Sequence, residues 1–176
     1  MSGDDDEVSV TDPPDYTEAF PALHRRSYAV AYRLLGARGP AEEVAQETLT
    51  RAFSRWSGMT HDPTGWCVKV ALNLAMDQLR SFERQRRRQR QLIALDSSTT
   101  SDPYAAERVD LYAALRQLPR RQRDIVALRY LGDLSEQQTA DAVGVSLGTV
   151  KSQASRGLDA LRAHLTPREP HRSNHV

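Results

Sequence analysis

Between Leu147 and Leu165, apolar residues recur at spacings of three and four: Leu147, Val150, Ala154, Leu158, Leu161 and Leu165. At about 100° per residue they fill an arc of roughly 80°, a stripe that suits a helix with one buried side. The residues before it are punctuated to match. Ser135 and Gln138 have the spacing of a capping box, which starts a short helix over 136–143. Gly144 then supplies the left-handed residue that ends it, and Ser146 is placed to cap the next. Two short helices on so tight a turn make a helix-turn-helix. No stretch of the chain shows strand-like alternation and no internal repeat is found, so the expected fold is all-α.

The face opposite the apolar stripe carries Gly148, Ser152, Ser155, Arg156, Asp159 and Arg162, with Thr149 and Lys151 on its flanks. Small residues at its start let the backbone come close to a partner. Arg156 suits guanine edges or a phosphate, and the hydroxyls suit either. An amphipathic helix in a bundle explains the same residues as a solvated face. The capped helix and glycine turn in front tip the reading toward a DNA major groove.

The rest of the chain divides into two helical halves. Residues 1–17 are acidic, contain Pro13 and Pro14, and are expected to be disordered. From residue 18, Phe20, Leu23, Tyr28, Ala31 and Leu35 predict a helix that Gly36 stops. A second, "AEEVAQETLTRAFSRW", puts Val44, Leu49, Ala52, Phe53 and Trp56 inside. Glu42, Glu43, Gln46, Glu47 and Thr50 lie outside, with the first two glutamates suiting the helix's positive end. After the turn-rich "SGMTHDPTG", a long helix runs from about Trp66 into an arginine run. Its apolar face is Val70, Ala71, Leu74, Ala75 and Gln78, and Lys69, Asn73, Asp77 and Arg80 are polar. "DSSTTSDP" reads as a flexible linker between two small domains. The second half predicts four helices, over about 104–118, 120–131, 136–143 and 147–165, with Leu111, Leu115, Leu118, Ala140 and Val143 inside.

Composition narrows the function classes. The 176 residues are 39% hydrophobic and carry a net charge of only +1. The charge is unevenly placed: residues 1–18 hold no Lys or Arg, while Arg80, Arg84, Arg86, Arg87, Arg88 and Arg90 cluster, which hints at a polyanionic partner. One cysteine, Cys67, permits no internal disulfide and reads as a plain buried thiol. The histidines lack ligand spacing, so no metal site is expected. No nucleophile–base pair or phosphate loop appears, so neither an enzyme nor a cofactor is expected. The acidic start is no signal peptide, and no apolar run nears the roughly 20 residues of a membrane span, which predicts a cytoplasmic protein not embedded in a membrane.

Two motif sets carry a family resemblance. "LPRRQRDIVALRYLGDLSEQQTADAVGVSLGTVKSQASRGLDALR" resembles the fourth region of bacterial RNA polymerase sigma factors of the extracytoplasmic-function (ECF) type, with its "GTVKS" opening the recognition helix. "AEEVAQETLTRAFSRW" and "PTGWCVKVALNLAMDQLR" resemble the second region, and the third region is replaced by the short linker. The resemblance covers about residues 18–166. It implies a region 2 domain over 18–90, a linker over 91–103, a region 4 domain over 104–166 and a tail over 167–176.

The implied function is to bind core RNA polymerase, direct it to particular promoters and help open the DNA, with an anti-sigma protein as the expected regulator. Glu42, Glu43, Gln46 and Glu47 are then expected on the polymerase clamp. Lys69, Asn73 and Arg80, with the 57–65 loop as a pocket for a flipped base, fall to the −10 element. Gly148, Thr149, Lys151, Ser152, Ser155 and Arg156 fall to the −35 element, beside the polymerase flap. Gln153 and Ser155 stand where many members carry a basic residue and an aromatic or His, so the −35 preference is expected either to differ from the usual one or to lean more on Arg156 and phosphate contacts. An autonomous helix-turn-helix regulator is the competing reading, but it leaves the first half without a task. Trp56 and Trp66 are expected to pack in the core rather than to stack on bases.

Overall fold

The computed structural model describes residues 15–59, 62–92 and 105–165. The acidic segment 1–14, most of the expected linker and the C-terminal tail lie outside the described residues. Among the described residues there are seven α-helices: α1 (Tyr16–Leu35), α2 (Arg38–Phe53), α3 (Pro63–Leu92), α4 (Ala105–Gln117), α5 (Arg120–Tyr130), α6 (Glu136–Val143) and α7 (Leu147–Leu165). A short 3-10 turn, Trp56–Gly58, follows α2. No strand occurs among the described residues.

The caps fall where the chemistry demands. Gly36 (φ 67°) and Gly144 (φ 72°) end α1 and α6 in the left-handed conformation. The Ser135 hydroxyl accepts from the Gln138 amide at 3.1 Å, and the Gln138 side chain accepts from the Ser135 amide at 3.0 Å, closing the capping box. Ser146 accepts from the Thr149 amide at 3.2 Å and caps α7.

Several boundaries and faces depart from the sequence reading. α1 begins at Tyr16, two residues before the expected start. The Asp15 carboxylate caps it through the Thr17 amide, and the Tyr16 hydroxyl donates to the Leu49 carbonyl at 3.0 Å. α2 begins at Arg38, so Glu42 and Glu43 sit beyond its first turn and outside the reach of the helix dipole. α3 starts at Pro63 and continues to Leu92, into the segment expected as linker. Phe53 is 65% exposed because it lies at the rim of the packing between α2 and α1, where its ring meets that of Tyr16 edge-on at 5.0 Å. Leu147 and Leu165 are also exposed, because the body of the molecule spans only the middle of α7. Val70, Leu74 and Gln78 are half-buried. The deepest stripe of α3 is instead Cys67, Val68, Ala71, Leu72, Ala75 and Met76, about one position round.

The two halves share a core. Val30, Leu34, Val44, Leu72 and Met76 of the first half form one buried cluster with Tyr112, Leu115, Leu118, Val126 and Leu161 of the second. Val68 of α3 packs against Leu128 and Leu134 in a second contact between the halves. Polar links follow the same seam. Arg33 donates to the Leu131 carbonyl and pairs with Asp133 at 2.7 Å, Arg116 pairs with Glu83 at 2.9 Å, and the Tyr112 hydroxyl lies 3.5 Å from the Met76 carbonyl. Asp133 holds φ 50°, an unfavourable conformation for a residue with a β-carbon, at the turn that Arg33 clamps.

Candidate nucleic-acid interface

α7 packs its middle onto α4, α5 and α6, burying Val150, Ala154, Gly157 and Leu161. Gly148, Lys151, Ser152, Ser155 and Arg156 lie exposed on the other side, with Thr149 half-exposed, so one face presents all six expected −35 residues. Lys151 leans toward Glu136 of α6 at 3.7 Å, a pair that solvent screens heavily. The Ser146 and Thr149 hydroxyls are 2.9 Å apart at the helix start.

Gly148 is informative in a different way. It has no unusual φ, and a β-carbon added there would meet nothing within 4 Å. The fold itself therefore gains nothing from a glycine at this place, although glycine is a poor helix former. A surface that must approach a partner closely does gain from it.

The expected −10 residues sit on α3, but they are not equally free. Lys69 Nζ donates to the Ala142 carbonyl of α6 at 2.7 Å. Asn73 is exposed, yet it opens into a cleft of about 460 Å³ whose other wall is α5, with Arg120, Arg123 and Asp124. Arg80 lines the same cleft. It pairs with Asp77 at 3.3 Å, and its buried Nε has no hydrogen-bond partner.

The loop expected to hold a flipped base borders a cavity of about 700 Å³ lined by Met59, Asp62, Pro63 and Trp66. Residues 60 and 61 lie outside the described residues. The cavity's far side is α6, through Gln138, Asp141 and Ala142, and the Gln138 amide donates to Asp62 at 3.0 Å. Trp66 is half-buried beside Cys67 and Leu49, and Trp56 is half-buried against Tyr16 at 5.0 Å.

The acidic patch on α2 is a single face. Glu43 and Gln46 are exposed, while Glu47 pairs with Arg51 at 2.7 Å. Glu42 accepts from His24 at 2.9 Å and from Gln46 at 3.1 Å, and these hydrogen bonds hold its carboxyl below the ordinary carboxylate range. Cys67 is fully buried, and burial, with the Asp62 charge nearby, pushes its thiol up to about 12. It is a packing residue.

The groups that join the halves, Asp62, Gln138, Arg33 and Asp133, were not singled out by sequence as partners. They are separated by 76 and 100 positions, and no local pattern couples such residues.

Two family models match in chain order: Sigma-70 region 2 over residues 20–88 and Sigma-70 region 4 over residues 108–161. Together they cover well over half of the chain. The chain belongs to the sigma-70 family, as an ECF-type sigma factor. It is 34% identical to the ECF RNA polymerase sigma factor SigE of Mycolicibacterium smegmatis over 166 residues, 86% of this chain and 62% of that protein. It is 32% identical to the RNA polymerase sigma-E factor of Streptomyces avermitilis, over 79% of this chain and 78% of that one. It is 29% identical to the RNA polymerase sigma factor SigV of Bacillus subtilis, over 79% and 84%.

The fold resembles that of two solved chains. One is the sigma factor RpoE in complex with the anti-sigma factor NepR from Bartonella quintana (TM-score 0.55, 22% identity, 88% of this chain and 99% of that one). The other is CnrH in complex with the cytosolic domain of CnrY (TM-score 0.57, 20% identity, 85% and 88%). In this sigma factor the α2 patch and the α3 residues fall within the region 2 match, and the α7 face falls within the region 4 match.

Proposed function

We propose that the chain binds core RNA polymerase and directs it to a set of promoters, with no reaction of its own. The observation that carries this is the joint presence, in order, of a region 2 and a region 4 half, each with a polar face suited to its task. An autonomous helix-turn-helix regulator would need only residues 135–165. It gives no account of the region 2 match or of the acidic α2 face.

In this reading Glu42, Glu43, Gln46 and Glu47 dock on the polymerase clamp. Lys69, Asn73 and Arg80, with the loop before α3, engage the −10 element as its strands part. An unstacked base needs a pocket outside the duplex, and the cavity lined by Met59, Asp62, Pro63 and Trp66 suits one. Gly148, Thr149, Lys151, Ser152, Ser155 and Arg156 read the −35 element, with the region 4 half beside the polymerase flap. An anti-sigma protein holds the chain in check, a partner of the kind that the sigma factor RpoE binds in the similar solved complex. No helix among the described residues is long and apolar enough to cross a membrane, which fits work beside polymerase in the cytoplasm.

Run-off transcription with reconstituted core polymerase over the genome's promoters tests the reading. A defined set of transcripts that depends on the added chain is expected. Failure to co-purify with core polymerase, together with the absence of any chain-dependent transcript, would overturn it.

A further inference from the structure

Arginines from two helices line the cleft of about 460 Å³ between α3 and α5. Arg80 belongs to α3, while Arg120 and Arg123 share a face of α5. Arg80 pairs with Asp77 at 3.3 Å through a terminal nitrogen, and its Nε is buried without an acceptor. Arg120 and Arg123 make no side-chain hydrogen bond or ion pair among the described residues. Guanidinium groups gathered around one space repel one another, and a buried charged donor without an acceptor is costly. An anion between them answers both.

The cleft offers more than charge. Leu72, Met76 and Ala127 line it and are exposed by only 2%, 6% and 1%, which gives it an apolar floor. Asn73 and Asp124 add polar groups that suit hydroxyls or the edge of a base. The volume lies within the roughly 300–1,000 Å³ of small-molecule sites. Arg80, Arg120 and Arg123 outnumber Asp77 and Asp124, so the cleft is positive overall.

We propose that this cleft binds a nucleoside diphosphate or triphosphate. The phosphate groups take Arg120, Arg123 and the Nε of Arg80, because a guanidinium fork matches phosphate oxygens. The base lies on Leu72, Met76 and Ala127. A terminal polyphosphate brings about two or more charges to the arginines, whereas each phosphate of a DNA strand brings one. The charge count therefore favours a free nucleotide over a strand. Nothing in this geometry depends on which residues meet promoter DNA.

Calorimetric titration and thermal melts of the full chain at low salt test it, with ATP, GTP, their diphosphates, inorganic pyrophosphate and the unphosphorylated nucleosides as probes. The phosphorylated probes should bind and raise the melting temperature, because a ligand held by the folded chain alone stabilises it. The nucleosides should not. Arg120→Gln and Arg123→Gln should each weaken nucleotide binding by about tenfold, the loss of one charge-assisted hydrogen bond. Neither should lower the melting temperature of the free protein, since neither side chain has a partner to lose. Asp124→Asn removes a negative charge from the cleft and should tighten pyrophosphate binding several-fold. Arg121→Gln is the control: Arg121 is exposed on α5 and does not line the cleft. It should leave binding unchanged.

A short single-stranded oligonucleotide without terminal phosphates tests the other source of phosphate. If it binds with losses at Arg120→Gln and Arg123→Gln while free nucleotides give no heat, the cleft follows a strand and the nucleotide site is overturned. Absence of binding by every phosphorylated probe at millimolar concentration overturns it too. So does an equal loss at Arg121→Gln, which would reduce the effect to general surface charge. Run-off transcription by the wild-type chain is a separate readout, so a failed nucleotide site leaves the sigma reading intact.

Discussion

At the scale of single residues, position 148 separates what the fold needs from what function needs. Gly148→Ala should leave the melting temperature unchanged or slightly higher, because alanine is the better helix former and nothing opposes its β-carbon. The same change should weaken −35-dependent transcription, alongside a loss at Arg156→Ala equivalent to about 1–3 kcal/mol for a lost base contact. Run-off assays beside thermal melts check both, and unaltered transcription from both variants would remove α7 from the −35 site. Glu42 gives a second residue-level prediction. Its pKa is depressed by the His24 and Gln46 hydrogen bonds, so what the charged form contributes is present above the unfolded value and lost as pH falls through the lower folded one. His24→Ala should shift the Glu42 carboxyl midpoint upward in an NMR titration, and an unmoved midpoint would show that the bond is not the cause.

At the scale of elements, α6 and α2 mark how far the sequence could be read. The bounds of α6 were legible because every group that starts and stops it is local: Ser135, Gln138 and Gly144 lie within ten positions. The start of α2 was not, because Ala37 makes no side-chain cap and the first turn follows from packing instead. Faces were read to within about one position, since apolar periodicity shows a helix has an inside but not how deep its neighbour reaches. Tyr112, 1% exposed, was missed for that reason, and Phe53 was placed on the wrong side. Gly157 shows a close approach that the sequence hides. A β-carbon there would lie 2.4 Å from Val126 of α5. Overpacking costs about 1–3 kcal/mol, against a helix-propensity gain of about 1 for alanine. Gly157→Ala should therefore lower stability by up to roughly 2 kcal/mol in a denaturant titration, whereas a gain would mean that α7 and α5 separate easily.

At the scale of the whole molecule, the acidic α2 patch and the seam between the halves draw on different residues of the region 2 half. Reversing charge at Glu43 and Glu47 touches neither the core nor the seam. Affinity for core polymerase should fall while the circular dichroism spectrum and melting temperature hold, and unchanged affinity would refute the docking patch. The candidate −35 face and the acidic patch were legible because each occupies one helix, where spacing alone sets the face. The state of the candidate −10 residues was not. Whether Lys69 is free or engaged depends on a carbonyl 73 positions away, and only the packed molecule brings the two together.

The bond between Lys69 and the Ala142 carbonyl has a consequence for how such a chain can change over generations. The acceptor is a main-chain oxygen, which every residue at position 142 carries alike. Variation at that position therefore alters the contact only by moving α6, and the ammonium is lost only by replacing Lys69 itself.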